Sequence, residues 1–314
     1  MSSADGIRSV RGSAEQVGAQ CCLEWINNMR RLGIRRAFTT AALSAAVLAA
    51  TAACGSGSSG DTEGPLRIVA SSVPHSEILR FVEDEGLLGD HTLEIREITG
   101  DLDANEVLEA GDTDANFFQH VPYQDSWSQE KGVDNLVAVA TVHVEPLGVY
   151  SRKVTDVSEV QDGGTVALSN NVTNFARGLY LLQQAGLIEL DRQLEDPDTD
   201  LTQVGEQNIV SNPKNLNFIQ IDPPQLPRTL DDGNVDLSII NGNYAIEGGL
   251  DPSRDALVLE KAEGNPYANV LTVREDSVDD PRVQALTEAL ESDEVADYIE
   301  QTYRGSVIPA GATG

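Results

Sequence analysis

The chain has 314 residues, of which 51 are acidic and 21 are basic, and its formal net charge is −30 at pH 7. A surface this acidic repels phosphate backbones and anionic headgroups, which excludes nucleic acid and anionic membrane surfaces as partners. The three cysteines are Cys21, Cys22 and Cys54, so a domain that follows Cys54 must be stabilised by an apolar core, for which about 260 residues suffice.

The N-terminal part of the chain contains an export signal. Residues 1–28 carry three acids, which do not suit a basic signal segment, and we interpret them as a misassigned extension upstream of the true start, Met29. Residues 29–53 combine arginines with a short apolar run of small residues, the pattern of a cleaved signal peptide, and this run is too short to span a bilayer. Cys54 follows directly and is predicted to carry the lipid anchor. An ordinary cleaved signal with an incidental cysteine is the alternative.

Residues 54–64 are rich in Gly, Ser, Asp and Thr and have no apolar periodicity, which is typical of a flexible linker between a lipid anchor and a domain. Beyond Cys54 the chain carries 15 basic and 48 acidic residues, a net charge of −33. Either this acidity is only a solvated shell, or it reflects a salty habitat, where screening removes the self-repulsion.

Strand and helix patterns alternate in the first half of the folded part. Strands are predicted at 66–70, 93–98, 114–118 and 136–142. Helices are predicted at 76–86, 105–110 and 122–131. The resulting βαβαβ order indicates a parallel sheet with crossover helices.

The second half repeats this pattern. Strands are predicted at 165–168, 218–221, 235–240, 257–259 and 269–273, and helices at 174–185, 225–231, 282–291 and 294–303. Extended crossings near 144–148 and 240–244 divide the chain into lobe 1 (65–145 and 244–314) and lobe 2 (146–243). The predicted fold class is therefore α/β, a two-lobed, periplasmic-binding-protein-like fold with parallel-rich sheets and a ligand cleft between the lobes.

Two segments carry aromatic, amide or charged groups at the start of a helix. Phe118, His120 and Tyr123 lie where a strand runs into a helix, and they either line a cleft or fill the core. Asn174 and Arg177 lie in the first turn of the helix predicted at 174–185. The free N–H groups of a helix start, together with a guanidinium, bind carboxylates or phosphates. Simple helix capping with a surface arginine is the alternative.

Two further segments carry polar groups at the ends of strands. Asn241 and Asn243 follow a strand that is apolar throughout, so they either form a turn or reach a ligand. His143 and Glu145 end another strand at the first crossing. Glu145 either receives an ammonium group or is a solvated hinge residue.

No set of residues for covalent or acid–base catalysis is visible. The sequence has no Gly-x-Ser-x-Gly, no phosphate loop and no pair of histidines at metal-binding spacing. A zinc site built from His75, His120, His143 and an acid is the alternative. We predict no enzyme, no metal and no cofactor.

Several segments resemble, in order, the methionine-binding lipoproteins of ABC importers, which are NlpA-type lipoproteins. The resemblance runs from about Leu66 to the C-terminus. Its most specific parts are Pro-His-Ser-Glu-Ile-Leu at 74–79, the run 111–123, His-Val-Glu-Pro-Leu-Gly-Val-Tyr-Ser at 143–151, and the segments 174–182, 212–216, 224–228, 231–232, 240–241 and 244–245.

The resemblance implies roles for the candidate residues. Arg177 is expected to bind the carboxylate of the ligand beside Asn174, and Asn241 to bind its amino-acid head group. The groups expected around the ligand side chain are Phe118, His120 and Tyr123. Two departures leave the exact ligand open. Asp101 replaces a tyrosine that is common in the family, and His143 and Glu145 stand where many members have aromatic residues.

The implied function is that of an extracytoplasmic, membrane-anchored lipoprotein. It would capture L-methionine and deliver it to an ABC permease that is driven by its ATPase. The same role for another small amino acid, a methionine derivative or a dipeptide is the alternative, and a surface lipoprotein without transport function is the more remote one.

Overall fold

The structure is a computed structural model that describes residues 64–99, 102–194, 199–261 and 265–313. Within these ranges two large β-sheets, covered by helices, are accompanied by a small antiparallel sheet of two strands. These residues belong to one compact unit, Ser59–Gly314. The predicted signal peptide, Cys54 and Asp101 lie outside the described residues. Of the predicted linker, only Gly64 lies within them. Within the described ranges, no helix has both the length and the apolar character needed to cross a membrane.

The strands and helices follow each other along the whole described chain. The strands are β1 (Leu66–Ala70), β2 (Leu93–Glu97), β3 (Ala115–His120), β4 (Leu136–Val144), β5 (Gly148–Tyr150), β6 (Thr165–Ser169), β7 (Glu189–Leu190), β8 (Ile209–Ser211), β9 (Asn217–Ile221), β10 (Leu237–Ile240), β11 (Val258–Leu259), β12 (Ala268–Arg274) and β13 (Ile308–Pro309). The α-helices are α1 (Glu77–Asp84), α2 (Ala104–Glu109), α3 (Val121–Lys131), α4 (Val172–Gln184), α5 (Leu226–Thr229), α6 (Gly242–Glu247), α7 (Pro252–Asp255), α8 (Pro281–Leu290) and α9 (Asp293–Tyr303).

The first sheet has the strand order β13-β4-β12-β3-β1-β2. Strands β1, β2 and β3 are parallel, as the βαβαβ pattern predicts. Strand β12 lies between β3 and β4 and is antiparallel to both, so that the sheet is mixed. Four of the five residues of β1 are buried, because helices cover both faces of a parallel sheet.

The second sheet has the order β11-β5-β10-β6-β9. Strands β10, β6 and β9 are parallel, while β5 is antiparallel to both of its neighbours, β10 and the edge strand β11. Because β11 belongs to this sheet, the chain changes sheets after Leu259 and not at the crossing expected near 240–244. The short strands β5 and β13 and the helices α6 and α7 carry too few residues for a periodic pattern, and the sequence did not predict them.

Helix α4 packs on the second sheet with the apolar face that its spacing predicts. Phe175, Leu179 and Leu182 are buried in one cluster. A Cβ at Gly178 would lie 2.8 Å from the Leu168 side chain, so the absence of a side chain lets the helix approach the sheet closely. This approach fixes the first turn of α4 at the carboxyl ends of β6 and β10.

The acidity of the chain predicts a strong salt dependence of stability. Raising NaCl from about 0.1 M to about 1 M shortens the Debye length from about 10 Å to about 3 Å, which screens the self-repulsion of the folded state. We expect the midpoint of thermal unfolding to rise, most steeply at the low-salt end, because screening saturates. A calorimetric salt series tests this prediction, and a midpoint that falls or stays constant contradicts it.

Candidate ligand-binding cleft

A cavity of about 560 Å³ lies between the two sheets, at the carboxyl ends of their parallel strands. Clefts at this position are the usual ligand sites of α/β folds. Its walls come from both sheets: the end of β3 and the start of α3, the first turn of α4, and the segment that follows β10. The lining residues that matter for the chemistry are Phe118, His120, Tyr123, Glu145, Asn174, Arg177, Asn241, Asn243, Tyr244 and Asn269.

Seven of the eight predicted ligand-binding residues line this cavity: Phe118, His120, Tyr123, Glu145, Asn174, Arg177 and Asn241. The eighth, His143, does not line it, because its ring is fully buried and faces the Glu145 carboxylate. The structure therefore brings together groups that lie more than a hundred residues apart in the sequence.

One polar chain joins the two walls of the cleft. The Tyr123 backbone N–H donates to His120 Nδ1 at 3.1 Å, so Nε2 carries the ring hydrogen and donates to Asn174 Oδ1 at 3.3 Å. Asn241 Nδ2 donates to the same Asn174 oxygen at 3.1 Å. Burial, with the Arg177 charge, lowers the pKa of His120 to about 3, which keeps the ring neutral. His120 thus both caps α3 and lines the cleft.

Asn241 leaves one acceptor open. Its Oδ1 is buried and has no hydrogen-bond partner within the described part of the chain. A buried carbonyl oxygen without a partner costs about 1–3 kcal/mol. An N–H group of a ligand in the cavity would remove this cost, so Asn241 Oδ1 is suited to receive a donor.

Arg177 is buried, and most of its hydrogen-bonding capacity is already used. Nε lies 3.0 Å and Nη2 2.5 Å from carboxylate oxygens of Glu260, and Nη2 also donates to the Glu145 backbone carbonyl at 2.8 Å. Among the described residues no acceptor lies within hydrogen-bonding geometry of Nη1. A ligand carboxylate therefore finds one free nitrogen of the guanidinium, and not the open fork that the sequence suggests.

The Tyr267 ring packs against the Arg177 guanidinium. The Arg177 carbon Cζ lies 4.5 Å from the ring centroid, a cation–π contact, and the His120 ring packs edge-on at 5.0 Å. Sequence reasoning missed Glu260 and Tyr267. Both lie in the second crossing, between β11 and β12, and this crossing was expected before β11.

Glu145 lies beside two buried histidines. Its Oε1 is 3.0 Å from His143 Nε2 and 3.4 Å from His75 Nε2, and the latter is also 3.0 Å from Asn269 Oδ1. Burial lowers the pKa of His75 to about 4 and that of His143 to about 3, and it raises the pKa of Glu145. Both rings are therefore neutral at pH 7.

The three groups have the separation of metal ligands, since their donor atoms lie within 4.8 Å of one another. His120, the third histidine of the zinc hypothesis, is bound instead to Asn174. A histidine that ligates a metal through Nε2 donates its Nδ1–H to an acceptor. His143 Nδ1 is buried and has no hydrogen bond to any described residue. The cluster therefore fits a hydrogen-bonded carboxylate better than a metal centre.

The charges around the cavity favour a ligand with a positive group. Asp103, Glu145 and Asp222 line it, and Arg177 is the one lining cation among the described residues. The Arg177 charge is offset by Glu260. An ammonium group would meet acceptors, while a ligand carboxylate is restricted to the neighbourhood of Arg177.

Comparisons with known proteins agree with this architecture. A sequence profile of the NlpA lipoprotein family matches residues 66–311. The methionine-binding lipoprotein MetQ of Bacillus subtilis strain 168 is 38% identical over 262 residues, which cover 82% of this chain and 93% of the relative. The D-methionine-binding lipoprotein MetQ of Escherichia coli K12 is 41% identical over 204 residues, which cover 65% of this chain and 72% of the relative.

Solved structures show the same fold. A nutrient-binding protein from Burkholderia cenocepacia bound to methionine has a TM-score of 0.71 and 33% identity, with 78% of this chain and 99% of that chain covered. A periplasmic substrate-binding protein of an ABC transporter from Coxiella burnetii has a TM-score of 0.70 and 36% identity, with 78% and 100% covered. The predicted fold class and the predicted family are confirmed. The chain belongs to the NlpA lipoprotein family.

Proposed function

We propose that this protein is the substrate-binding lipoprotein of an ABC importer and that it captures methionine outside the cytoplasm. The observation that carries the proposal is the polarity of the cleft, which offers a guanidinium nitrogen on one side and the unpaired acceptor Asn241 Oδ1 on the other. A free amino acid has the matching pair of charges. The names of the relatives from Bacillus subtilis and Escherichia coli support methionine as that amino acid.

In the proposed complex the ligand carboxylate accepts a hydrogen bond from Arg177 Nη1. The ammonium group donates to Asn241 Oδ1 and to the Glu145 carboxylate. Phe118 and Tyr123, whose rings meet edge-on with centroids 5.7 Å apart, offer an apolar wall for the side chain. A thioether makes favourable contacts with aromatic edges.

Binding and release are the only steps that this mechanism needs. When the lobes close about the two crossings, the charged head group is removed from water, which strengthens each charge-assisted hydrogen bond. It also penalises ligands that leave one of these groups unpaired. The closed form then delivers methionine to a membrane permease driven by its ATPase. Cys54 is the proposed anchor that keeps the protein at the extracytoplasmic face of the membrane.

A second candidate ligand is a different small amino acid, a methionine derivative or a dipeptide. The specific observation in its favour is Glu145, which places a buried carboxylate in the cleft wall. The role as an importer's binding protein is the same in both cases.

Ligand-induced stabilisation distinguishes these candidates. The purified protein is unfolded and refolded to remove bound ligand, and its thermal unfolding is measured with L-methionine, D-methionine, methionine dipeptides, glutamine and cystine. A ligand at 100 times its dissociation constant adds about 2.7 kcal/mol to the free energy of unfolding. We expect the largest shift with L-methionine.

Asn241→Ala is the matching variant for this experiment. Since it removes the open acceptor Oδ1, we expect at least a tenfold loss of methionine affinity, as for the loss of a hydrogen bond to a charged group. Asn234→Ala, at an exposed position outside the cleft, is the control and should bind normally. If the midpoint of thermal unfolding shifts only with another compound, that compound replaces methionine as the proposed substrate. If it shifts with no compound, the proposed function is contradicted.

A further inference from the structure

We infer that His75 and His143 are positioning residues that hold the Glu145 side chain as an anionic receptor for the ammonium group of the ligand. This inference rests on the proposed function, because it names which group of the amino acid Glu145 recognises. His143 then acts through Glu145, without touching the ligand.

The position of Glu145 makes this role possible. It follows β4 directly, at the first crossing, and its side chain is 94% buried but still lines the cavity. A Cβ at Gly242, on the opposite wall, would lie only 3.2 Å from Glu145 Cβ, so the two walls meet closely here. Glu145 is therefore confined between the end of β4 and the start of α6, where its side chain lines the cavity.

The hydrogen bonds of the histidines determine where their protons are. His143 Nε2 lies 3.0 Å from Glu145 Oε1, while its Nδ1 is buried and has no partner among the described residues. A proton on Nδ1 would be a buried donor without an acceptor, which is costly. The proton therefore belongs on Nε2, from which it is donated to the carboxylate.

His75 also faces Glu145, and the Val73 carbonyl lies against its ring. His75 Nε2 faces Asn269 Oδ1 at 3.0 Å and Glu145 Oε1 at 3.4 Å, and both of these oxygens are acceptors. Edge-on packing against Phe117 at 4.6 Å and His143 at 4.8 Å fixes the orientation of the ring. Glu145 Oε1 thus accepts the N–H of His143 and faces Nε2 of His75, an arrangement that suits the ionised carboxylate.

Other charged and titratable groups also face Glu145. The Arg177 guanidinium from α4 and the backbone N–H of Asn243 favour the ionised form, while burial opposes it most strongly. Tyr244 and Glu247 approach from α6. The balance leaves the pKa of Glu145 raised, so a buried carboxylate here lacks a full countercharge. A ligand ammonium would supply that countercharge.

A pair of ligands that differ only in the ammonium group tests the inference. The probes are L-methionine and its deaminated analogue, 4-(methylthio)butanoate, measured by isothermal titration calorimetry. Wild-type protein should prefer methionine by at least about tenfold, the value of one charge-assisted hydrogen bond. Glu145→Gln keeps the shape but loses the charge, and it should remove most of this preference.

The role of the histidines is tested by the pH dependence of methionine affinity. In the wild type, affinity should fall as the pH falls through the pKa of Glu145, because the protonated acid cannot receive an ammonium group. His143→Leu removes a donor to the carboxylate, which raises the pKa of Glu145 further and should move this fall to higher pH. His143→Gln can place an amide N–H near the position of Nε2 and should keep the wild-type profile. His91→Leu, outside the cleft, is the control.

The possible outcomes distinguish a failure of this inference from a failure of the proposed function. Equal affinity for both probes in the wild type, or an unchanged pH profile in His143→Leu, overturns the inference and leaves methionine binding in place. Failure of the wild type to bind either probe overturns the proposed function and the inference together. Stoichiometric binding of Zn²⁺ that is lost in His143→Leu assigns the cluster to a metal and also overturns the inference.

Discussion

Arg177→Ala is expected to lower the free energy of unfolding by about 3–5 kcal/mol, because it leaves the Glu260 carboxylate buried without its partner. The Arg177 and Glu260 side chains are only 1% and 10% exposed. Glu260 also receives the Leu147 backbone N–H at 3.1 Å, and its own backbone N–H donates to the Leu147 carbonyl at 2.8 Å. The pair therefore joins α4 to both crossings, and its loss should loosen the hinge as well as the cleft.

A double-mutant cycle, with stability measured by urea unfolding, gives the interaction free energy of the Arg177–Glu260 ion pair. Glu260→Ala should be as costly as Arg177→Ala, whereas the double variant Arg177→Ala/Glu260→Ala should cost less than the sum of the two single changes, because no uncompensated charge remains. Arg254→Ala, which breaks only exposed ion pairs, is the control and should change stability by less than about 1 kcal/mol. Additive costs at Arg177 and Glu260 would show that the two residues act independently. Methionine binding retained by Arg177→Ala would contradict its proposed contact with the ligand carboxylate.

Tyr267→Ala should destabilise the protein by about 3–5 kcal/mol, the range for removal of a large buried aromatic ring. The ring is fully buried and supports both Arg177 and His120. We therefore also expect weaker methionine binding, since both groups line the cleft and lose a fixed neighbour. Urea unfolding and calorimetric titration measure the two effects.

Tyr267→Phe is the matched control for this prediction. The Tyr267 hydroxyl is buried and has no hydrogen-bond partner within the described ranges, so its removal leaves no new polar group unpaired. Stability and methionine affinity should both stay near the wild-type values. A large loss in the phenylalanine variant would show that the hydroxyl, and not the ring, is the important group.

The elements with long apolar patterns could be predicted from the sequence with small boundary errors. Helix 174–185 was predicted from Phe175, Leu179 and Leu182 and begins two residues earlier in the structure, at Val172, because Asn171 caps it. Strand 66–70 was predicted in full. Such elements are decided locally, since the period of their apolar residues matches one face of a helix or a buried strand.

Most of the candidate cleft was also predicted, because its residues occupy helix starts and strand ends. Asn174, Asn241 and His120 were named from such positions, and the structure links them through one shared oxygen, Asn174 Oδ1. Their roles toward a ligand remain predictions. His143 shows a limit of this approach, since its place at a strand end did not reveal that its ring lies behind Glu145.

The sequence by itself determined the α/β class, the main helices and strands, and the polar residues that gather at their ends, because these follow from local periodicity and chain order. Only the tertiary structure decided that β12 lies between β3 and β4, that Glu260 forms an ion pair with Arg177, and that His75 contacts Glu145. These contacts join residues that are 70 or more positions apart. Their formation depends on how two sheets pack and where the chain crosses between them, and no local pattern encodes that.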